Sequence, residues 1–164
     1  MTAAQIDRMI INVATQEGVP AEKSPIIAMQ ARHETANYTS NVLKQANNLF
    51  GMKMPSIRPK TFILGPSSIV MKSEGSTPYA AYSSLENSVR DLVAWHKYNK
   101  TDWNKITGID SYSRYLKSKG YYGSTIDIYI RGLKNAAKKM SAIISANPGA
   151  SMITIIAAVV TVFF

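Results

Sequence analysis

Glu34 stands where a carboxylate is out of place. It lies seven residues after Ile27 and three after Ala31, on the apolar stripe of a helix predicted from Ser24-Pro25 to about Thr35. Burial on that stripe disfavours the ionised form and raises the pKa. A general acid working near neutral pH needs this setting. The same spacing also fits a structural glutamate satisfied by Arg32, His33 or a backbone amide, or a helix-end glutamate turned to solvent. Asn37 and Tyr38 follow the helix end, and Asn47-Asn48-Leu49-Phe50-Gly51 comes thirteen residues after Glu34. Two adjacent amides before an aromatic and a glycine make a polar turn with an apolar anchor. Such amides either cap the local backbone or line a groove for sugars.

Other reactive types are scarce. The chain has no cysteine and two histidines, His33 and His96. That excludes a disulfide framework, a cysteine nucleophile and a cysteine-ligated metal, and it disfavours a histidine-rich metal site. No metal or organic cofactor is implied. The 164 residues carry 19 Lys plus Arg against 10 Asp plus Glu, a net charge of +9, and 46% are hydrophobic. This is a globular composition with room for one core. The charge predicts a polyanionic partner: nucleic acid, an acidic membrane surface or an anionic wall polymer. No helix-turn-helix, RNP-like or zinc pattern is present and the basic residues are scattered, which argues against nucleic acid. Lys53, Arg58, Lys60 and Lys72 form an acid-free stretch, either a basic rim or a solvated face. Trp95 and Trp103 are candidates to stack on sugars, although Trp95 borders an apolar stripe and reads as core.

These side chains need elements to hold them. Thr2 with Gln5 is a capping-box pattern before Ile6, Met9, Ile10 and Val13, and Gly18 stops that first helix. Ser24 caps the second, with Pro25 in its first turn. A third fits Asn41 to Asn48. Residues 54–78 are rich in Pro, Ser and Gly. Thr61-Phe62-Ile63-Leu64 and Ser68-Ile69-Val70-Met71 around Gly65-Pro66 predict a small hairpin. Ser83 with Glu86 caps a helix carrying Leu85, Val89, Leu92, Val93 and His96. Asp110 caps a short helix with Tyr112, Tyr115 and Leu116. A last helix starts near Ser124 or Thr125 and carries Tyr129, Leu133 and Met140. The expected fold is mainly α with one β excursion near its middle.

Gln30-Ala31-Arg32-His33-Glu34-Thr35-Ala36 followed by Asn47-Asn48-Leu49-Phe50-Gly51-Met52-Lys53 resembles the endo-β-N-acetylglucosaminidases of glycoside hydrolase family 73, which are lysozyme-like peptidoglycan hydrolases. The likeness continues through Tyr79-Ala80-Ala81-Tyr82-Ser83-Ser84-Leu85-Glu86, Gly120-Tyr121-Tyr122 and Tyr129-Ile130-Arg131-Gly132-Leu133, covering roughly residues 3–140. It implies a lysozyme-like α+β domain with a β-hairpin lobe near residues 57–80. It implies Glu34 as the catalytic acid and Tyr122 as a catalytic tyrosine flanking the cleft. Asn47, Asn48, Phe50, Tyr38 and Tyr121 are the substrate-binding candidates, with Phe50 expected to be mostly core. An inverting mechanism needs a second carboxylate to activate water. Glu74 is the one acid between Phe50 and Tyr82, and equally fits a surface glutamate. Without it, the substrate's N-acetyl group would assist, or the enzyme would be a single-acid lytic transglycosylase or a muramidase. A non-catalytic, glycan-binding protein with a lysozyme-like shell is the rival from another class.

Residues 147–164 have a different character. Asn147-Pro148-Gly149 breaks the chain, and residues 150–164 carry no charge. The run is shorter than the ~20 residues of a spanning helix. It is read as a membrane or capsid-protein anchor behind a catalytic domain at residues 1–146, or else as a final core element. With no secretory signal at the N-terminus, this points to a bacteriophage virion lysin. A bacterial membrane-anchored autolysin and an endolysin released at host lysis are the alternatives.

Overall fold

The computed structural model describes residues 1–69 and 77–145. Glu74, Lys72, Val70, Met71 and the apolar run 150–164 lie outside the described residues.

Six helices and a pair of very short strands make up the described chain, in the order α1 (Ala3–Gln16), α2 (Ser24–Glu34), α3 (Asn41–Ala46), β1 (Gly65–Pro66), β2 (Ala80–Ala81), α4 (Leu85–Tyr98), a 3-10 turn (Trp103–Lys105), α5 (Ile109–Ser118) and α6 (Ile126–Ser145). This mainly helical architecture with a small antiparallel sheet is consistent with the expected lysozyme-like α+β class.

The capping box at α1 forms as expected: Thr2 Oγ1 accepts from Gln5 N at 3.2 Å, and Thr2 N donates to Gln5 Oε1 at 2.7 Å. Helix α2 is the centre of the molecule, packed against α1 and α6. It is buried on all sides from Ser24 to Arg32. Glu34 is therefore distinguished by its place at the helix end, where α2 emerges from the core, more than by its stripe. Ser24 is the first helical residue and not the cap; its Oγ donates back to Ala21 O at 2.9 Å. The cap of α4 is Ser84, one residue beyond the expected Ser83. α5 begins at Ile109, capped through Ser111 Oγ, while Asp110 pairs with Lys134 of α6 at 3.2 Å.

The hairpin pairs differently from expectation. Gly65-Pro66 is not the turn but a strand, antiparallel to Ala80–Ala81, with Gly65 opposite Ala81. Pro66 has no N–H to give, so the donors are its neighbours: Leu64 N bonds Ala81 O and Ser67 N bonds Tyr79 O, both at 2.8 Å. On the other side of this strand, Ala80 N donates to Met52 O and Met54 N to Pro78 O, both at 2.9 Å.

Two buried Arg–Asp–Tyr triads tie loops to helices. Arg32 grips Asp7 at 2.9 and 2.5 Å, and Tyr38 OH donates to the same carboxylate at 2.6 Å. Arg58 grips Asp91 through both terminal nitrogens, and Tyr82 OH donates to Asp91 at 2.8 Å. Fork-on-carboxylate geometry with a third donor is what makes buried charge tolerable. Arg58 is thus committed to α4 and is not a rim cation. The first triad also holds Ala36, Asn37 and Tyr38, which follow α2 with φ of 49°, 59° and 68°. Three consecutive non-glycine residues in the left-handed region are strained, at about 1–2 kcal/mol each.

α6 approaches α2 closely at Gly132, where a methyl group would overlap the ring of His33. Gly→Ala inside a helix ordinarily stabilises by about 0.8–1 kcal/mol. Gly132→Ala is expected to destabilise instead, by about 1–3 kcal/mol, through overpacking. Urea denaturation checks the sign.

His96 is buried between Thr101 Oγ1 and Tyr112 OH, each at 3.0 Å, and burial lowers its pKa to about 3. The unfolded chain protonates this ring below about 6.5 while the folded chain does not. The stability it contributes is intact above pH 6.5 and lost as the pH falls towards 3. His33, also lowered by burial, adds in the same direction. The unfolding free energy from urea titrations is expected to drop between pH 6.5 and 5, by at most about 1.4 kcal/mol per pH unit for each ring. A flat profile there contradicts the neutral, buried assignment.

Candidate active site

An open cleft of about 1070 Å³ runs between the end of α2, the 48–58 loop, the outer face of α4 and the segment joining α5 to α6. Glu34 lines it. Among the described residues, no other carboxylate does.

The carboxyl is oriented by a tyrosine from the far end of the sequence. Tyr129 OH donates to Glu34 Oε1 at 2.6 Å. Tyr129 is buried, and its own acidity is suppressed: its pKa lies well above the usual tyrosine value, first because of burial and then because of the charge on Glu34. It therefore stays a neutral donor. Two rings fix it. The Tyr122 ring stacks on it at 3.8 Å and 2°, and the His33 ring meets it edge-on at 4.8 Å. Arg32, the neighbouring cation, is paired with Asp7. The second oxygen lies on the Gly51 side, 3.9 Å from where a Cβ on Gly51 would sit. Gly51 has φ +61°, so glycine suits both the backbone and the close approach.

Asn48 holds the loop beneath. It is buried, and its amide makes four bonds: Nδ2 to Met52 O and Ala80 O, both 2.8 Å, and Oδ1 from Phe50 N and Met52 N at 3.2 and 3.1 Å. That uses its full hydrogen-bonding capacity. Asn47 takes the left-handed conformation that ends α3, and its Nδ2 donates to Tyr82 O at 3.0 Å. Both amides are thus engaged by backbone. Phe50 is 1% exposed and belongs to the core, as expected.

The cleft brings together Glu34, Asn48, Phe50, Tyr121 and Tyr122. Asn47 and Tyr38 are not among its lining residues; Tyr38 faces Asp7 and helps hold the turn after α2. Tyr122 OH donates to Ser113 O at 3.0 Å, so what it offers Glu34 is support for Tyr129 through its ring. Tyr121 OH donates to Phe50 O at 2.6 Å, linking the wall to the loop. Two further residues stand out at the site, Tyr129 behind Glu34 and Trp95 in the cleft wall. Tyr129 had been an inward residue of the last helix. Its signal was a phenol on an apolar stripe, which needs a partner when buried. Trp95 lines the cleft although its position on α4 reads as core.

A family model described as mannosyl-glycoprotein endo-beta-N-acetylglucosaminidase matches residues 8–147. The chain belongs to the glucosaminidase family. Its members are glycoside hydrolases, and at the family level this glucosaminidase is a peptidoglycan hydrolase. No curated protein and no solved structure matches it.

The Tyr129 hydroxyl can be removed without removing the stack. A hydrogen bond to a charged group contributes about 1.5–3 kcal/mol. Tyr129→Phe is expected to fold normally and lower kcat about tenfold or more while KM changes little. Steady-state kinetics with a thermal-unfolding control checks this.

Proposed function

We propose that this glucosaminidase cleaves the β-1,4 bonds of the N-acetylglucosamine–N-acetylmuramic acid backbone, with Glu34 as general acid. The observation that carries the reading is the Tyr129–Glu34 contact at 2.6 Å, beside an open cleft of about 1070 Å³. Tyr129 OH binds Oε1 and orients the carboxyl, and Glu34 as general acid supplies a proton. That proton goes to the glycosidic oxygen as its bond to the anomeric carbon breaks. The anomeric carbon then takes hydroxide from water, whose remaining proton passes to a base. Glu74 is the residue we propose for that base, since it is the one acid of the segment between Phe50 and Tyr82. Lys53 and Lys119 line the cleft. They suit a substrate bearing lactyl-derived and peptide carboxylates, with attraction that weakens in salt.

Glu34→Gln keeps the shape and hydrogen-bonding length but removes the acid. It is expected to fold and to lose at least about a hundredfold in activity on purified peptidoglycan. Clearing of a zymogram by the variant as fast as by wild type overturns the assignment. Reducing-end analysis of the fragments names the bond: N-acetylglucosamine ends assign a glucosaminidase cut, and muramic ends overturn that in favour of a muramidase cut. Anhydro-muramic ends reassign the site to single-acid transglycosylation without Glu74.

The uncharged run 150–164 supports a further part of this proposal, an anchor that holds the enzyme in a virion, at a membrane or capsid vertex. Among the described residues no helix is long and apolar enough to cross a membrane. Detection of the protein in purified virions tests the location, and its absence there refutes it.

A further inference from the structure

The outer face of α4 carries Trp95, Tyr98 and Asn99, three and four residues apart and therefore side by side. All three line the same cleft as Glu34. The chemistry at Glu34 uses none of them. Trp95 is half-buried and meets three other rings at steep angles. Tyr121 meets it at 5.3 Å and 73°, His96 at 5.0 Å and 83°, and Tyr115 at 6.3 Å and 74°. Its ring plane is thus set before any ligand arrives, which lowers the ordering cost of binding. Tyr98 is 50% exposed, one of few large apolar side chains so open to solvent. Asn99 Nδ2 donates to Trp95 O at 2.9 Å, which fixes the side-chain amide and leaves its oxygen and second N–H for a ligand.

A fixed aromatic face, an exposed aromatic beside it and an oriented amide oxygen are complementary to an N-acetylhexosamine ring. The ring's C–H face packs on the aromatics, and its N–H or hydroxyl donates to the amide oxygen. The platform is continuous with the reacting end. Tyr121 packs on Trp95 and donates to Phe50 O, next to Gly51 and Glu34. The cavity, about 1070 Å³, exceeds the roughly 300–1,000 Å³ of single small-molecule sites.

We infer that Trp95, Tyr98 and Asn99 form a second sugar subsite on α4, which holds a ring of the same glycan strand away from the bond being cut. The inference rests on the glycan-hydrolase reading of this cleft and adds a length preference. Binding energy from a remote ring raises kcat/KM on chains long enough to reach it.

The test uses the full chain and two readouts. In kinetics, the ratio of kcat/KM on polymeric glycan to kcat/KM on the shortest N-acetylglucosamine oligomer that wild type cleaves is measured for Tyr98→Ala and Trp95→Phe. The ratio is expected to fall about tenfold in Tyr98→Ala, chiefly through KM on the polymer. Tyr98 is half exposed, so this variant should fold; Trp95→Phe keeps an aromatic ring where a larger truncation would endanger the core. In binding, Glu34→Gln protein is titrated with the N-acetylglucosamine hexamer while tryptophan emission is followed. Trp103 is not among the cleft residues and stacks on Tyr112, so Trp95 is the reporter. A saturable change that disappears in Glu34→Gln/Trp95→Phe supports the subsite. An unchanged length ratio in both variants, or hexamer binding without a Trp95 signal, overturns it. Loss of wild-type cleavage with the Trp95 signal intact would defeat the hydrolase reading alone.

Discussion

A single hydroxyl from α6 governs the orientation of the carboxyl at the end of α2. Tyr129 reaches Glu34 because α6 comes close to α2, and α6 comes close because Gly132 has no side chain where the ring of His33 lies. The same ring then meets Tyr129 edge-on, while Tyr122 covers its face. Each member is positioned by packing and none by a flexible tether. The carboxyl is therefore held in a set orientation at the cleft.

Polar groups inside the fold are used to fasten loops, and this separates them from the chemistry. Asp7 with Arg32 secures the turn after α2, and Asp91 with Arg58 secures the 53–64 region to α4. Asn48 stitches the loop under the cleft to β2. Each satisfies its partners within the protein, so the floor and walls are rigid without drawing on groups that meet the ligand. Ionic pairs of this kind add little net stability over apolar packing, but losing one partner costs several kcal/mol, roughly 3–5. Their value here is geometric.

Much of the frame was readable from local pattern. Thr2 and Gln5 announced α1, and the apolar spacing of α4 and α6 marked their buried sides. Glu34, Asn48, Phe50 and Gly51, from the two stretches singled out by type and spacing, line one cleft. What could not be read were partners far apart in the chain. Tyr129 lies 95 residues from Glu34, and Arg58 lies 33 from Asp91. A cationic stretch at 53–72 resembles a solvated face until α4 supplies Asp91. The hairpin failed for a related reason: Gly65-Pro66 has turn composition, yet the flanking amides of Leu64 and Ser67 can carry the pairing around a proline. Residue type alone could not say whether the amides of Asn47 and Asn48 would face a ligand or the backbone; both engage backbone.

The left-handed run at Ala36, Asn37 and Tyr38 has a consequence for how the molecule is wired. Glycine would adopt those angles freely; these residues do not, so the bend is imposed from outside. Asp7 on α1 supplies the clasp through Arg32 and the Tyr38 phenol. Helix α1 adds no residue to the lining of the groove, yet it dictates the point at which α2 unwinds and thus where Glu34 is set. An N-terminal segment outside the groove is in this way an integral part of the aiming apparatus.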